Sequence, residues 1–160
     1  MSQFEQSWRL SRGRFVQCLE GMTQPQLNYR LYPGSLTIGE MAIHVAGVEA
    51  SFMRQLLGLE VNQEQMQVVH AATDGVVNDQ PFPFLADEIT PIRVAAALEW
   101  TRELVEPHVS NPSPEFLVKE LVSALGPVIT GEGALARFAF HPAYHHGQAY
   151  QIQQSPGFPK

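Results

Sequence analysis

The sequence has one cysteine, few cations and no long apolar run. With Cys18 alone, no intramolecular disulfide can form, which suits a reducing compartment, and a cytoplasmic location is expected. No apolar stretch approaches the roughly 20 residues of a membrane-spanning helix, and the polar, acidic segment Met1 to Glu5 does not read as a signal peptide. For want of a long apolar run no membrane partner is expected, and the 10 scattered lysines and arginines with a net charge of −6 argue against a nucleic-acid surface. Internal repeats, a phosphate-cradling glycine loop, a cysteine pair and a Ser/His/Asp constellation are all missing. What remains is 160 residues with 44% hydrophobic content, enough for one domain over 1–160 that buries its own core.

Apolar spacing predicts four main helices. The first covers Gln3 to Glu20, with Phe4, Trp8, Phe15 and Leu19 near helical spacing and Gly21 as a stop. A turn-rich stretch with Pro25, Pro33 and Gly34 follows. The second helix opens at Thr37, which forms a capping-box pattern with Glu40. Met41, His44, Val45, Val48, Phe52 and Leu56 then step along one face until Gly58. A long connection from Leu59 to Ile89 carries a short helix near Gln63 to Ala72; its length would let the flanking helices run parallel. The third helix starts at Thr90-Pro91 and is expected to end near Val105, before Pro107. Pro112 to Thr130 reads as a connector with a short helix over Glu115 to Ala124, and the fourth helix as Glu132 to Gln153. A four-helix bundle satisfies this pattern, and bundles build sites from side chains on facing helices.

Chemistry concentrates in the histidines. His141 and His145 stand four apart on the fourth helix, so one cation can bridge both rings. His44 interrupts the apolar stripe of the second helix. An inward imidazole loses solvation and needs a partner, which is either an ordinary hydrogen bond or a metal shared with the other two. Pro142 lies between His141 and His145 and removes the bond to the Phe138 carbonyl; the helix either kinks there or breaks and restarts with Pro142 in its first turn.

Two segments carry a resemblance. Leu36-Thr37-Ile38-Gly39-Glu40-Met41-Ala42-Ile43-His44-Val45-Ala46 resembles the second-helix signature of the DinB-like superfamily of YfiT-related four-helix bundles. His141-Pro142-Ala143-Tyr144-His145-His146-Gly147-Gln148 resembles that family's fourth-helix motif. Chain length, helix order and the long second connection agree with it. The resemblance implies an all-α four-helix bundle, up-down-down-up, with His44, His141 and His145 as ligands of a divalent metal. His146 falls at a variable position and is not a ligand on this reading, while His70 and His108 have no counterpart and are expected to face solvent.

Three neutral imidazoles leave coordination positions open, which is the layout of a catalytic metal. Zinc or nickel is expected, with iron, cobalt and manganese compatible with the donor type. Members of the resembled superfamily include thiol-dependent S-transferases and isomerases. The leading expectation is therefore an enzyme that activates a low-molecular-weight thiol, or a water, toward a small-molecule substrate. The alternatives are a non-catalytic, metal-stabilised homodimer acting as a binding or stress-response module, with Trp8 or Trp100 at its interface, and a metal-free ligand carrier. Around the histidines, Glu40 reads as a cap and Glu49 as an exposed charge. Arg137, one turn before His141, is a candidate contact for an anionic substrate; Tyr144 and Gln148 read as pocket lining, and Cys18 as a small buried apolar residue.

Overall fold

A computed structural model describes residues 3–160 and is mostly helical. In chain order its elements are α1 (Gln3–Leu19), α2 (Gln24–Leu27), α3 (Ile38–Leu57), α4 (Gln63–His70), α5 (Pro91–Ser110), α6 (Pro114–Val118), β1 (Glu120–Val122), β2 (Val128–Thr130) and α7 (Gly131–Gln153). The four long helices α1, α3, α5 and α7 pack on one another. α1 lies chiefly along α7, and α3 against α5 and α7.

Helix α3 is the centre. Its start is fixed by the expected capping box: the Glu40 N–H donates to Thr37 Oγ1 at 3.1 Å and the Thr37 N–H to Glu40 Oε2 at 2.7 Å. Its end is Gly58, in the left-handed region at φ 66°. The expected single apolar face is an underestimate, because every residue from Ile38 to Ala50 is buried. A helix covered on all sides is apolar or small at most positions; Ala42, Ala46, Gly47 and Ala50 supply the small ones, and the buried polar residues Glu40, His44 and Glu49 each have a hydrogen-bond partner. At Gly47 the fit is closest: a Cβ there would meet the Val68 carbonyl oxygen at 2.6 Å and the Ala72 nitrogen at 2.7 Å. This position lets the end of α4 lie directly on α3.

Several expected boundaries move. Helix α5 does not stop before Pro107 but continues to Ser110. Proline costs the helix a hydrogen bond, yet Val105 and Val109 on either side are fully buried, and that packing holds the last turn in place. The helix expected over Glu115 to Ala124 ends at Val118. Beyond it, Glu120-Leu121-Val122 pairs antiparallel with Val128-Ile129-Thr130. Leu121 is buried between exposed neighbours, a period of two, and Gly126 at φ 97° makes the turn. Gln55 ties this hairpin to α3 by donating to the Val122 carbonyl at 3.1 Å and accepting from the Val122 N–H at 2.9 Å. The turn-rich stretch after α1 contains the one-turn helix α2, capped by Thr23.

The core has two apolar clusters. One gathers around Phe15, Ile43 and Leu98, the other around Trp8, Phe52 and Phe138. Glu49, expected as an exposed charge, is instead 1% exposed. Its carboxylate accepts from Arg12 Nε at 2.9 Å, from the Arg12 guanidinium again at 3.1 Å, from Trp8 Nε1 at 3.3 Å and from the Thr101 hydroxyl at 2.6 Å. That network joins α1, α3 and α5. A buried carboxylate so far from water requires such a set of donors. Trp8, 2% exposed, belongs to the core and is unavailable as an interface residue, and Trp100 is half-buried. Among the described residues, no helix is long and apolar enough to cross a membrane.

Candidate metal centre

The structure brings His44, His141 and His145 together. One nitrogen from each lies within 4.8 Å of the others. His141 Nε2 stands 3.1 Å from His44 Nε2 and 3.0 Å from His145 Nε2. α7 runs without a break through Pro142, which is buried. Both imidazoles therefore stay on one face of a continuous helix, and of the two readings left open at Pro142 the break and restart does not occur.

The second nitrogen of two rings fixes their tautomers. His44 Nδ1 is 2.8 Å from the Ala71 carbonyl oxygen, which can only accept, so Nδ1–H donates and Nε2 keeps its lone pair. His145 Nδ1 likewise donates to Gln148 Oε1 at 2.7 Å and also keeps a lone pair on Nε2. Two lone pairs thus face His141 Nε2, which can offer at most one proton. A single N–H satisfies one neighbour and leaves the other lone pair against it. A cation satisfies all three. At the metal–nitrogen distance of about 2.05 Å, two ligand nitrogens are separated by about 2.9 Å at a right angle and about 3.3 Å at a tetrahedral one. The observed 3.0 and 3.1 Å fall in that interval, so the donor set fits a divalent ion.

The surroundings favour neutral rings. Burial is the largest cause for all three. It lowers the pKa of His44, pushes His141 down to about 2 and His145 down to about 4. Mutual repulsion with the neighbouring imidazoles adds to the effect at His141 and His145, and the Arg137 charge adds further at His141. An imidazole kept neutral at pH 7 has a free lone pair and is ready to act as a ligand.

A pocket of about 650 Å³ opens beside the cluster. Its walls come from α3 and α7, the loop before α3, the segment after α4, and the hairpin tip at Ala124-Leu125. Of the other expected residues, Arg137, Tyr144 and Gln148 line it. Glu40 does not: besides capping α3, it pairs with Arg30 at 2.6 Å. His146 is outside the cluster. His70 is exposed as expected, whereas His108 is partly buried and stacks on Phe116. Cys18 is partly buried, and its thiol pKa is raised to about 11 by burial.

Two orienting roles were missed in the sequence, one of them at a residue expected only to line the pocket. The Gln148 side chain orients His145, and its spacing of three residues along the helix was a usable signal. The Ala71 carbonyl orients His44 from 27 residues away and is backbone, so no residue type advertises it.

No curated protein sequence matches the chain. The pattern of the DinB superfamily does match, over residues 4–149, a span that includes all of α3, most of α7 and the three histidines. The chain belongs to the DinB superfamily.

Proposed function

We propose that this protein is a metal-dependent enzyme in which His44, His141 and His145 hold one divalent ion, zinc or nickel first, at the floor of a substrate pocket. The observation that carries the reading is the convergence of three Nε2 atoms, two of them fixed as lone pairs by Ala71 and Gln148. When bound, such an ion supplies Lewis-acid activation of a small thiol or a water. The chain does the rest. Ala71 and Gln148 set the ring orientations, as partners behind metal ligands do elsewhere. Burial keeps the imidazoles neutral, and the apolar walls limit water. Thiol-dependent S-transfer is the favoured reaction class, with metal-assisted hydrolysis or isomerisation as relatives of the same chemistry.

The proposal includes one up-down-down-up four-helix domain. In support, Ile89 sits on Gly39 and Thr101 on Glu49, so α3 and α5 run the same way. Gln153 bonds the Cys18 carbonyl near the ends of α7 and α1, while Arg9 pairs with Glu106 and Arg12 with Thr101, opposing α1 to α5.

Metal analysis of untagged protein is the decisive experiment. About one equivalent of metal is expected, lost in His44→Ala and retained in His146→Ala. Absence of metal from the parent protein, with no rise in melting temperature on adding zinc or nickel, refutes the site; equal loss from both variants refutes the ligand assignment. Thiol conjugation to an electrophile should be abolished by chelator. A second reading, a non-catalytic homodimer, draws support from exposed apolar side chains such as Leu125, Val128 and Phe140. It requires a dimer by size-exclusion chromatography and no chelator-sensitive turnover.

A further inference from the structure

We propose that the pocket beside the histidine cluster takes an organic carboxylate with an apolar, aromatic-sized body, and that Arg137 is its anchor. This deepens the reading of the same site and rests on its being the ligand pocket, not on the metal.

Charge comes first. The chain carries a net −6, yet no aspartate or glutamate lines this pocket, and its one lysine or arginine is Arg137. Arg9, Arg12, Arg30, Arg93 and Arg102 are all held in ion pairs. Arg14 and Arg54 are exposed. Arg137 is partly buried, and among the described residues no carboxylate pairs with it. An unpaired guanidinium in an acid-free pocket presents its planar fork to an incoming carboxylate.

Shape supplies the rest of the ligand. Among the described residues, six of the 14 exposed large apolar side chains (Leu31, Tyr32, Val77, Leu125, Phe140 and Tyr144) line this one pocket. Single exposed apolar residues need no explanation, but such a concentration at one mouth does. Phe140 and Tyr144, with ring centroids 6.1 Å apart, stand on α7 within two turns of Arg137 and form an aromatic wall beside the charge. A volume of about 650 Å³ holds a ligand of one or two rings.

The test is calorimetric titration of 2-naphthoate and its neutral counterpart 2-naphthamide into both chelator-treated and zinc-loaded protein. Naphthoate is expected to bind both forms about tenfold to a hundredfold more tightly than naphthamide, the range for a charge-assisted hydrogen-bonded pair. Arg137→Gln should erase that preference while leaving naphthamide affinity, zinc content and circular dichroism unchanged, and Arg137→Lys should keep part of it. Equal affinity for the two probes overturns the proposal, as does a preference that survives Arg137→Gln. A preference seen only with zinc assigns the carboxylate to the metal and overturns it too. Failure of both probes to bind at ~1 mM also overturns it. Zinc content is measured separately. An Arg137-dependent preference in a parent protein that holds no zinc therefore sinks only the metal reading.

Discussion

Metal-free protein should lose stability on mild acidification, because two buried imidazoles and a third partly buried between them resist protonation only while the chain is folded. In the unfolded chain each titrates near its ordinary value of about 6.5. In the folded protein His141 is held at about 2, His145 at about 4, and His44 is also lowered, all chiefly by burial. Folded values below unfolded ones mean that the unfolded state binds more protons as pH falls. The stability is therefore fully present above about pH 6.5 and drains away between there and the folded values. At pH 5.5 each fully linked imidazole has cost about 1.4 kcal/mol relative to neutral pH. His141 and His145 together account for about 3 kcal/mol on that basis, and His44 acts in the same direction. With a urea slope of roughly 1–3 kcal/mol per molar, the midpoint should fall by about 1–3 M. The assay is urea unfolding followed by circular dichroism, in chelator, at pH 7.5, 6.5 and 5.5. A His141→Gln, His145→Gln double variant should show a flatter profile. A parent midpoint unchanged across that range, or a double variant with the same slope, would refute the reasoning. Saturating zinc at pH 7.5 should raise stability by about 4 kcal/mol at a thousandfold excess over its dissociation constant.

Three further outcomes follow from named contacts. Gln148→Leu removes the acceptor for His145 Nδ1–H and should weaken metal binding about 10–100-fold with little effect on folding, measured by competition with a zinc indicator. Gly47→Ala drives a methyl group into the Val68 carbonyl and the Ala72 nitrogen. It should cost about 1–3 kcal/mol in urea unfolding and, by displacing Ala71 from His44, also lower metal affinity. Glu49→Ala strands the buried Arg12 guanidinium and should cost about 3–5 kcal/mol, the range for breaking one side of a buried pair; a loss under about 1 kcal/mol would mean that water reaches the network.

By itself, the sequence determined most of the helical pattern and the identity of the three histidines. Thr37 with Glu40, the terminal Gly58, and the fourfold step from His141 to His145 are local signals: they act through backbone groups and neighbours within a turn or two. Wherever local signals misled, distant contacts overrode them. Pro107 ought to end a helix, but buried Val105 and Val109 carry α5 past it. Glu49 looked like an exposed charge until Arg12, Trp8 and Thr101, on helices far away in sequence, enclosed it. The stretch after Val118 became a hairpin because Gln55 and the core beneath Leu121 favour an extended chain there. The site itself divides in the same way. Which residues could ligate was legible from residue type and spacing. That His44 presents Nε2 was decided by the Ala71 carbonyl, brought within 2.8 Å only because Gly47 lets α4 lie on α3. The acid-free, aromatic-rimmed pocket likewise exists only where five separate segments meet. Hydrogen-bond geometry and local charge depend on which backbone and side chains become neighbours, and the packed chain alone settles that.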